Sequence, residues 1–85
     1  MEKEELERWA LKNGWKMLDG HPSLTKPSGL AIVRLVLKAT MANVEIRKPS
    51  GKWDKVSSAA YAKVQADEDG FPRGLGLDTI YGLPS

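Results

Sequence analysis

Cysteine is absent from this sequence of 85 residues. Its absence excludes disulfides, thiol catalysis and cysteine-based zinc sites, and small secreted domains usually depend on disulfides. The longest uncharged apolar run is Leu30–Val33, far shorter than the roughly 20 residues that span a membrane. The opening segment, MEKEELER, mixes both charge signs, unlike the basic and then apolar layout of a signal peptide. We therefore predict a cytoplasmic protein without membrane contact.

Motifs for metals and nucleotides are also missing. The acidic turn at residues 67–70 lacks the ligand spacing of a calcium-binding loop, since Gln65 and Gly76 would fall at its first and last ligand positions. Gly74 and Gly76 lack the third glycine of a nucleotide-binding fingerprint. We predict no metal, no cofactor and no catalytic residue.

The stretch Leu30–Lys48 organises the chain, because a copy of Lys-Pro-Ser-Gly stands at each of its ends, at residues 26–29 and 48–51. Apolar residues alternate with polar ones along it, which favours a β-strand. The apolar set is Val33, Leu35, Leu37, Ala39 and Met41, and the polar set is Arg34, Lys38 and Thr40. A helical pattern fits part of the run but would place Asn43 on a buried stripe. We predict a sheet that is apolar on one face and basic on the other.

Each Lys-Pro-Ser-Gly segment predicts an exposed turn between paired strands. Around residues 39–43 the sequence leaves two alternatives open, a turn near Met41–Asn43 or one bulged continuous strand. Around the second Lys-Pro-Ser-Gly segment a one-residue slip in register also stays open. The predicted pairs at the first turn are Lys26–Leu30, Thr25–Ala31 and Leu24–Ile32, and those at the second are Arg47–Trp53, Ile46–Asp54, Glu45–Lys55 and Val44–Val56.

The remaining segments complete an α+β fold. Glu2–Lys12 predicts a helix that anchors Leu6 and Trp9 on the sheet and stops at Asn13-Gly14. Residues 15–18 predict either a short first strand or an extended approach to the sheet, and residues 19–22 predict a turn. Ser57 and Ser58 precede an alanine-rich run to residue 64 that predicts a short second helix. We expect one domain over residues 1–73, with three or four antiparallel strands in a meander. Residues 74–85 form a glycine-rich apolar tail, either docked on the core or ordered by a partner.

Charge is distributed unevenly along the chain, although the net charge is only +2. Both ends are acidic, whereas residues 9–63 hold ten lysines and arginines against three acids, a net of +7. Trp53 lies in this basic part, between Lys52 and Lys55. An aromatic ring among cations on a sheet is typical of single-stranded nucleic-acid binding, by stacking and phosphate contacts.

We therefore predict a small non-enzymatic module that binds RNA or DNA through a basic sheet face and its turns. The predicted contact residues are Arg34, Lys38, Arg47, Lys48, Lys52, Trp53 and Lys55. The main alternative is a protein-binding module or inhibitor that engages an acidic protein partner with the same face, or a groove with its apolar tail.

A third hypothesis comes from a resemblance over roughly residues 5–37. The run Leu11-Lys12-Asn13-Gly14-Trp15, followed by Gly20-His21, resembles small HicA-type RNA-cleaving toxins. The resemblance implies a double-stranded-RNA-binding-like fold with His21 as the catalytic residue. The family's serine before this histidine is missing, and Pro22 follows it, which predicts a disrupted strand.

Overall fold

A computed structural model describes residues 1–25 and 31–82 of the chain, and for residues 81 and 82 it describes the backbone alone. A helix, α1, is followed by a five-stranded antiparallel sheet whose strands neighbour each other in chain order. The first Lys-Pro-Ser-Gly segment, including Gly29, lies outside the described residues. The bounds are α1 Lys3–Lys12, β1 Lys16–Leu18, β2 His21–Thr25, β3 Ile32–Leu37, β4 Met41–Arg47 and β5 Trp53–Ala60.

Helix α1 begins and ends where its sequence predicts. Glu5 Oε1 accepts a hydrogen bond from the Glu2 backbone at 3.0 Å, which satisfies one of the unpaired donors of the first turn. At the other end, the Asn13 side chain donates to the Trp9 carbonyl at 2.8 Å. Gly14 follows with a φ of +90° that favours glycine. Leu6 is fully buried, so the predicted anchoring of the helix is confirmed.

Trp9 is the second anchor of α1. Its ring lies 6.0 Å from that of Trp15 and 5.4 Å from that of Phe71, the latter in an edge-to-face arrangement. Such pairs add to the stabilisation that comes from burial alone. The cluster fixes the helix over one side of the sheet, where Trp15 is almost completely buried.

The predicted meander is confirmed, with small changes of position. The turn between β3 and β4 lies at residues 38–40, closed by a bond from the Lys38 N–H to the Met41 carbonyl at 2.9 Å. It therefore precedes the predicted turn near Met41–Asn43. Lys48–Gly51 forms the exposed turn between β4 and β5, and Gly51 takes a φ of +92°. Val33 and Leu35 face the core as expected, whereas Met41 lies on the opposite face of the sheet.

The strand register confirms three predicted pairs at the second turn: Arg47–Trp53, Ile46–Asp54 and Glu45–Lys55. The fourth is wrong, because Val44 pairs with Ser57. A bulge at Val56 inserts one extra residue, and its side chain is 49% exposed. Between β2 and β3 the pairs are Thr25–Ile32 and Leu24–Val33, one residue away from the prediction.

The helix predicted over residues 59–64, with a preceding serine as its N-cap, is wrong at its start. Ser57–Ala60 continues β5, because pairing with Met41–Val44 overrides the local preference of an alanine-rich run. Only a short 3₁₀ turn, η1 (Tyr61–Lys63), follows. The short second helix of the fold, α2, lies at Leu77–Gly82 instead.

Residues 61–80 cover the same side of the sheet as α1. Between η1 and α2, a small hairpin pairs β6 (Gln65–Ala66) with β7 (Pro72–Arg73). The chain then passes very close to η1, since a Cβ on Gly74 would lie 2.7 Å from the Lys63 carbonyl oxygen. The part predicted as an irregular tail supplies core residues, namely Leu75, Leu77 and Ile80.

Asp67 holds the β6–β7 turn together. Its Oδ1 accepts the backbone N–H groups of Asp69 at 2.9 Å and Phe71 at 3.0 Å, and its Oδ2 accepts Arg73 Nε at 3.0 Å. These bonds, the one from Phe71 foremost, lower the pKa of Asp67 below its usual 3.8. The ionised carboxylate therefore stabilises the folded turn.

The sign of this pKa shift predicts an acid-dependent loss of stability. A lowered folded-state pKa gives stabilisation that is present above pH 3.8 and is lost as pH falls through the folded value. Asp67→Asn should therefore lower the melting temperature at neutral pH, and the difference from the parent protein should shrink in acid. Thermal melts between neutral pH and about pH 2 measure this difference in melting temperature. Glu68→Gln, an exposed neighbour, is the control, and a constant difference across this range would contradict the prediction.

The α+β prediction is thus confirmed, with five strands in the main sheet rather than three or four. No helix in the described ranges 1–25 and 31–82 is long and apolar enough to cross a membrane.

Candidate functional site

The two faces of the sheet differ in what covers them. The buried hydrophobic residues contributed by α1 and by residues 61–80, apart from Pro72, belong to one core cluster. The sheet residues of that cluster all lie on one face, and they are Leu24, Val33, Leu35, Leu37, Ala42, Val44, Ile46 and Ala59. The opposite face, which we call the open face, is covered by none of the helices or hairpins that the structure describes.

Strand register brings charged and aromatic residues together on the open face. One row runs from Arg34 on β3 to Glu45 on β4 and Lys55 on β5. The next row pairs Arg47 with Trp53. Arg34 and Lys55 are therefore two strand spacings apart, about 10 Å. Four of the seven predicted contact residues share this area: Arg34, Arg47, Trp53 and Lys55.

Arg34 forms the centre of the cluster. Its guanidinium lies 3.8 Å from the centroid of the Trp53 ring, within the range of a cation–π contact. The same group contacts Glu45 Oε1 through Nε at 2.8 Å and through an Nη atom at 2.6 Å. Sequence reasoning paired Trp53 with Arg47, and the structure makes Arg47 the cross-strand neighbour while Arg34 stacks on the ring. The charge of Arg34 is therefore largely neutralised, and the ring is held in one orientation.

The β4–β5 turn holds two more predicted residues, Lys48 and Lys52. The register continues them on the side of the sheet that carries Ile46 and Asp54, opposite the side of Arg47 and Trp53. Lys48 forms an ion pair with Asp54 at 2.7 Å, and this hydrogen bond raises the pKa of Lys48. Both partners are well exposed, so the pair is weak. The Lys48 N–H donates to the Lys52 carbonyl at 2.8 Å, which closes the turn.

Lys38 lies apart from the other six residues. It stands in the turn at the opposite end of β3, about 20 Å from Ile32 at roughly 3.3 Å per strand residue. Its carbonyl accepts a hydrogen bond from the Tyr61 hydroxyl at 2.6 Å, which ties this turn to η1. Its backbone thus has a structural role at the far edge of the sheet.

Two residues of the open face were missed by sequence reasoning. Lys16 joins the central row through the pairs Lys16–Ser23 and Ser23–Arg34. Asn43 pairs with Val36 and Ser58 in the middle of the sheet and is only 5% exposed. The signal for Asn43 was present in the sequence, because asparagine is unusual at a central strand position. The position of Lys16 on this face follows only from the register of β1, β2 and β3 together, which the sequence does not show.

His21 also lies on the open face, opposite Leu18 at the start of β2. Its carbonyl accepts a hydrogen bond from the Ser23 hydroxyl at 3.0 Å. The predicted disruption by Pro22 is wrong, because Pro22 is buried within the strand, opposite the short edge strand β1. In the described part of the chain, no group of three or more histidine, cysteine, aspartate or glutamate side chains is placed to hold a metal ion.

Comparison of the chain with protein-family models, with curated proteins and with solved structures finds no match. The function is therefore argued from the open face itself.

Proposed function

We propose that the protein is a non-enzymatic module that binds single-stranded nucleic acid, RNA or DNA, across the open face and the β4–β5 turn. The observation that carries this proposal is the position of Trp53, an aromatic ring fixed by Arg34 on an uncovered sheet face among cations. Bases stack on such rings, and lysine and arginine contact the phosphates between them.

Four cations are available for phosphates. Arg47 and Lys55 lie beside Trp53, Lys52 stands in the adjoining turn, and Lys16 lies on β1, four strand spacings or about 19 Å from β5. Among the described side chains, no acid lies within ion-pair distance of Lys16, Arg47, Lys52 or Lys55. Arg34 and Lys48 are already paired and contribute less. If each free cation meets one phosphate, the dependence of log affinity on log salt should have a slope of about −3 for a single strand.

An acidic protein partner is the second candidate function, since it would be attracted by the same cations. One observation favours a protein contact elsewhere on the sheet. Met17 and Leu18 on the edge strand β1 are 49% and 43% exposed, and large exposed apolar side chains at an edge suit a protein surface.

Direct titration tests the proposal. A mixed-sequence single strand of about ten nucleotides should bind at low salt, with an affinity that falls along the slope given above. Lys52→Gln combined with Lys55→Gln should flatten the slope by about 1.4, or about 0.7 per contact. Lys63→Gln, an exposed change on η1, serves as the matched control. Binding weaker than millimolar at low salt would overturn the nucleic-acid function and leave the protein partner.

The same mixtures test the hypothesis of RNA cleavage through His21. We expect labelled RNA to stay intact after long incubation and His21→Ala to bind as the parent protein does. Cleavage that disappears in His21→Ala would show an enzyme instead.

A further inference from the structure

The two edges of the main sheet differ in length. One edge is β1, which has three residues, and the other is β5, which has eight. Among the described residues, the one strand neighbour of β5 is β4. Lys55, Ser58 and Ala60 on β5 are exposed, and Trp53 is half-buried. An uncovered edge strand of this length is a template for pairing with another chain.

Backbone bonds at both ends of β5 show which of its groups point away from β4. At one end the Lys48 N–H donates to the Lys52 carbonyl at 2.8 Å, and at the other the Tyr61 N–H donates to the Thr40 carbonyl at 3.3 Å. Residues of an antiparallel strand turn their backbone groups alternately towards and away from a neighbour. Counted inwards from these two bonds, with one extra residue at the bulge, the residues that point outwards are Trp53, Lys55, Ser58 and Ala60. In the described part of the chain, no hydrogen bond occupies these outward groups.

The bulge at Val56 restricts which strand can pair along the whole edge. One residue separates Trp53 from Lys55, whereas both Val56 and Ser57 lie between Lys55 and Ser58. A regular strand that pairs with one half of β5 is therefore out of register with the other half. A second copy of β5 that runs antiparallel keeps its register, because its own extra residue falls opposite the bulge.

We propose that β5 pairs with β5 of a second copy of this chain, across a two-fold axis at the bulge. In this register Lys55 lies opposite Ser58 of the second copy, and Trp53 lies opposite its Ala60. Each of these pairs exchanges two backbone hydrogen bonds and occurs twice by symmetry. No like charges face each other, and the large indole ring faces a methyl group, so the edge is complementary to itself.

Val56 provides the apolar part of this interface. Its side chain is 49% exposed and lines a groove together with Ile46, Leu75 and Ile80 on the core side of the sheet. The proposed register places Val56 beside the two-fold axis, so the side chains of the two copies cover each other and remove apolar surface from water. The axis is perpendicular to the sheet, and the two open faces therefore lie side by side on one continuous sheet. The pairing does not depend on the proposed nucleic-acid function.

Sedimentation equilibrium of the full chain without nucleic acid measures the association. With rising protein concentration the mass should increase from monomer to dimer and stop there, because two-fold pairing occupies the β5 edge of both copies. Ser58→Pro removes an outward N–H and no bond to β4, so it should melt near the parent and remain a monomer. A parent that is monomeric up to about millimolar protein, an assembly that grows beyond a dimer, or a dimer retained in Ser58→Pro would overturn the proposal.

Charge changes at Ser58 test the register itself. Ser58→Glu places a carboxylate opposite Lys55 of the second copy, whereas Ser58→Lys places another cation there. The dissociation constant of the dimer should be about tenfold lower in Ser58→Glu than in Ser58→Lys, since each dimer holds two such cross-strand pairs. Thr25→Glu and Thr25→Lys, the same changes at an exposed position on β2, are the controls and should dimerise alike. Equal dissociation constants for the two Ser58 variants, or the same difference between the controls, would overturn the register. If Ser58→Pro does not fold, this comparison still decides.

Discussion

Deletion of residues 74–85 is expected to unfold the domain. The deletion removes Leu75 and Leu77, both fully buried, together with Ile80, which is 6% exposed. Replacing one buried leucine with alanine costs about 2–5 kcal/mol. A domain of this size has a total stability of roughly 4–13 kcal/mol, at about 0.05–0.15 kcal/mol per residue. The free-energy cost of losing three core side chains is therefore similar to, or larger than, the whole free energy of unfolding of the domain.

Circular dichroism melts of the two chains measure this effect. The shortened chain should show no cooperative transition, or one lowered by well over the 4–8 °C that about 1 kcal/mol shifts a small domain. The melting temperature of Leu75→Ala should lie between those of the shortened chain and the parent. Thr79→Ala, an exposed change on α2, should melt at the same temperature as the parent. A shortened chain that melts like the parent but no longer binds would contradict the prediction and mark residues 74–85 as a partner-binding segment.

Local signals predicted the parts of the fold in which local and tertiary preferences agree. Asn13-Gly14 ended α1 because glycine takes the left-handed conformation there, and Lys48–Gly51 formed a turn for the same reason. Ser57–Ala60 could not be predicted, since its helical propensity is overridden by backbone pairing with β4. The bulge at Val56 has no signature in the sequence, and it shifts every later pair by one residue.

The candidate site was predicted in composition but not in its contacts. Trp53, Lys52 and Lys55 are close in sequence, so one hairpin brings them together. Arg34 is two strands away from Trp53, and only the full register places its guanidinium on the ring. The pairing of Arg34 with Glu45 follows from the same register and reduces the number of cations free to meet phosphates. Tertiary geometry thus decides which charges of a basic segment are available.

Trp53→Ala is expected to weaken binding of a single strand by about 5- to 150-fold, since stacking of one base contributes roughly 1–3 kcal/mol. The salt dependence should stay nearly unchanged, because stacking releases few counterions and the free cations remain in place. The loss of the ring leaves Arg34 bonded to Glu45 at 2.6 and 2.8 Å, so no additional cation becomes available to the ligand. Affinity and salt slope are therefore separable quantities on this face.

Titrations of Trp53→Ala, Trp53→Phe and the parent protein at several salt concentrations measure both quantities. Trp53→Phe keeps an aromatic face and should recover much of the lost affinity, which distinguishes stacking from a general structural effect. Thermal melts of the same samples show whether the open face is still folded. A parallel loss of affinity and slope in Trp53→Ala would mean that the ring acts by positioning cations through Arg34. Unchanged affinity would place the bound strand away from Trp53, because a stacking platform at the centre of the interface must contribute to binding.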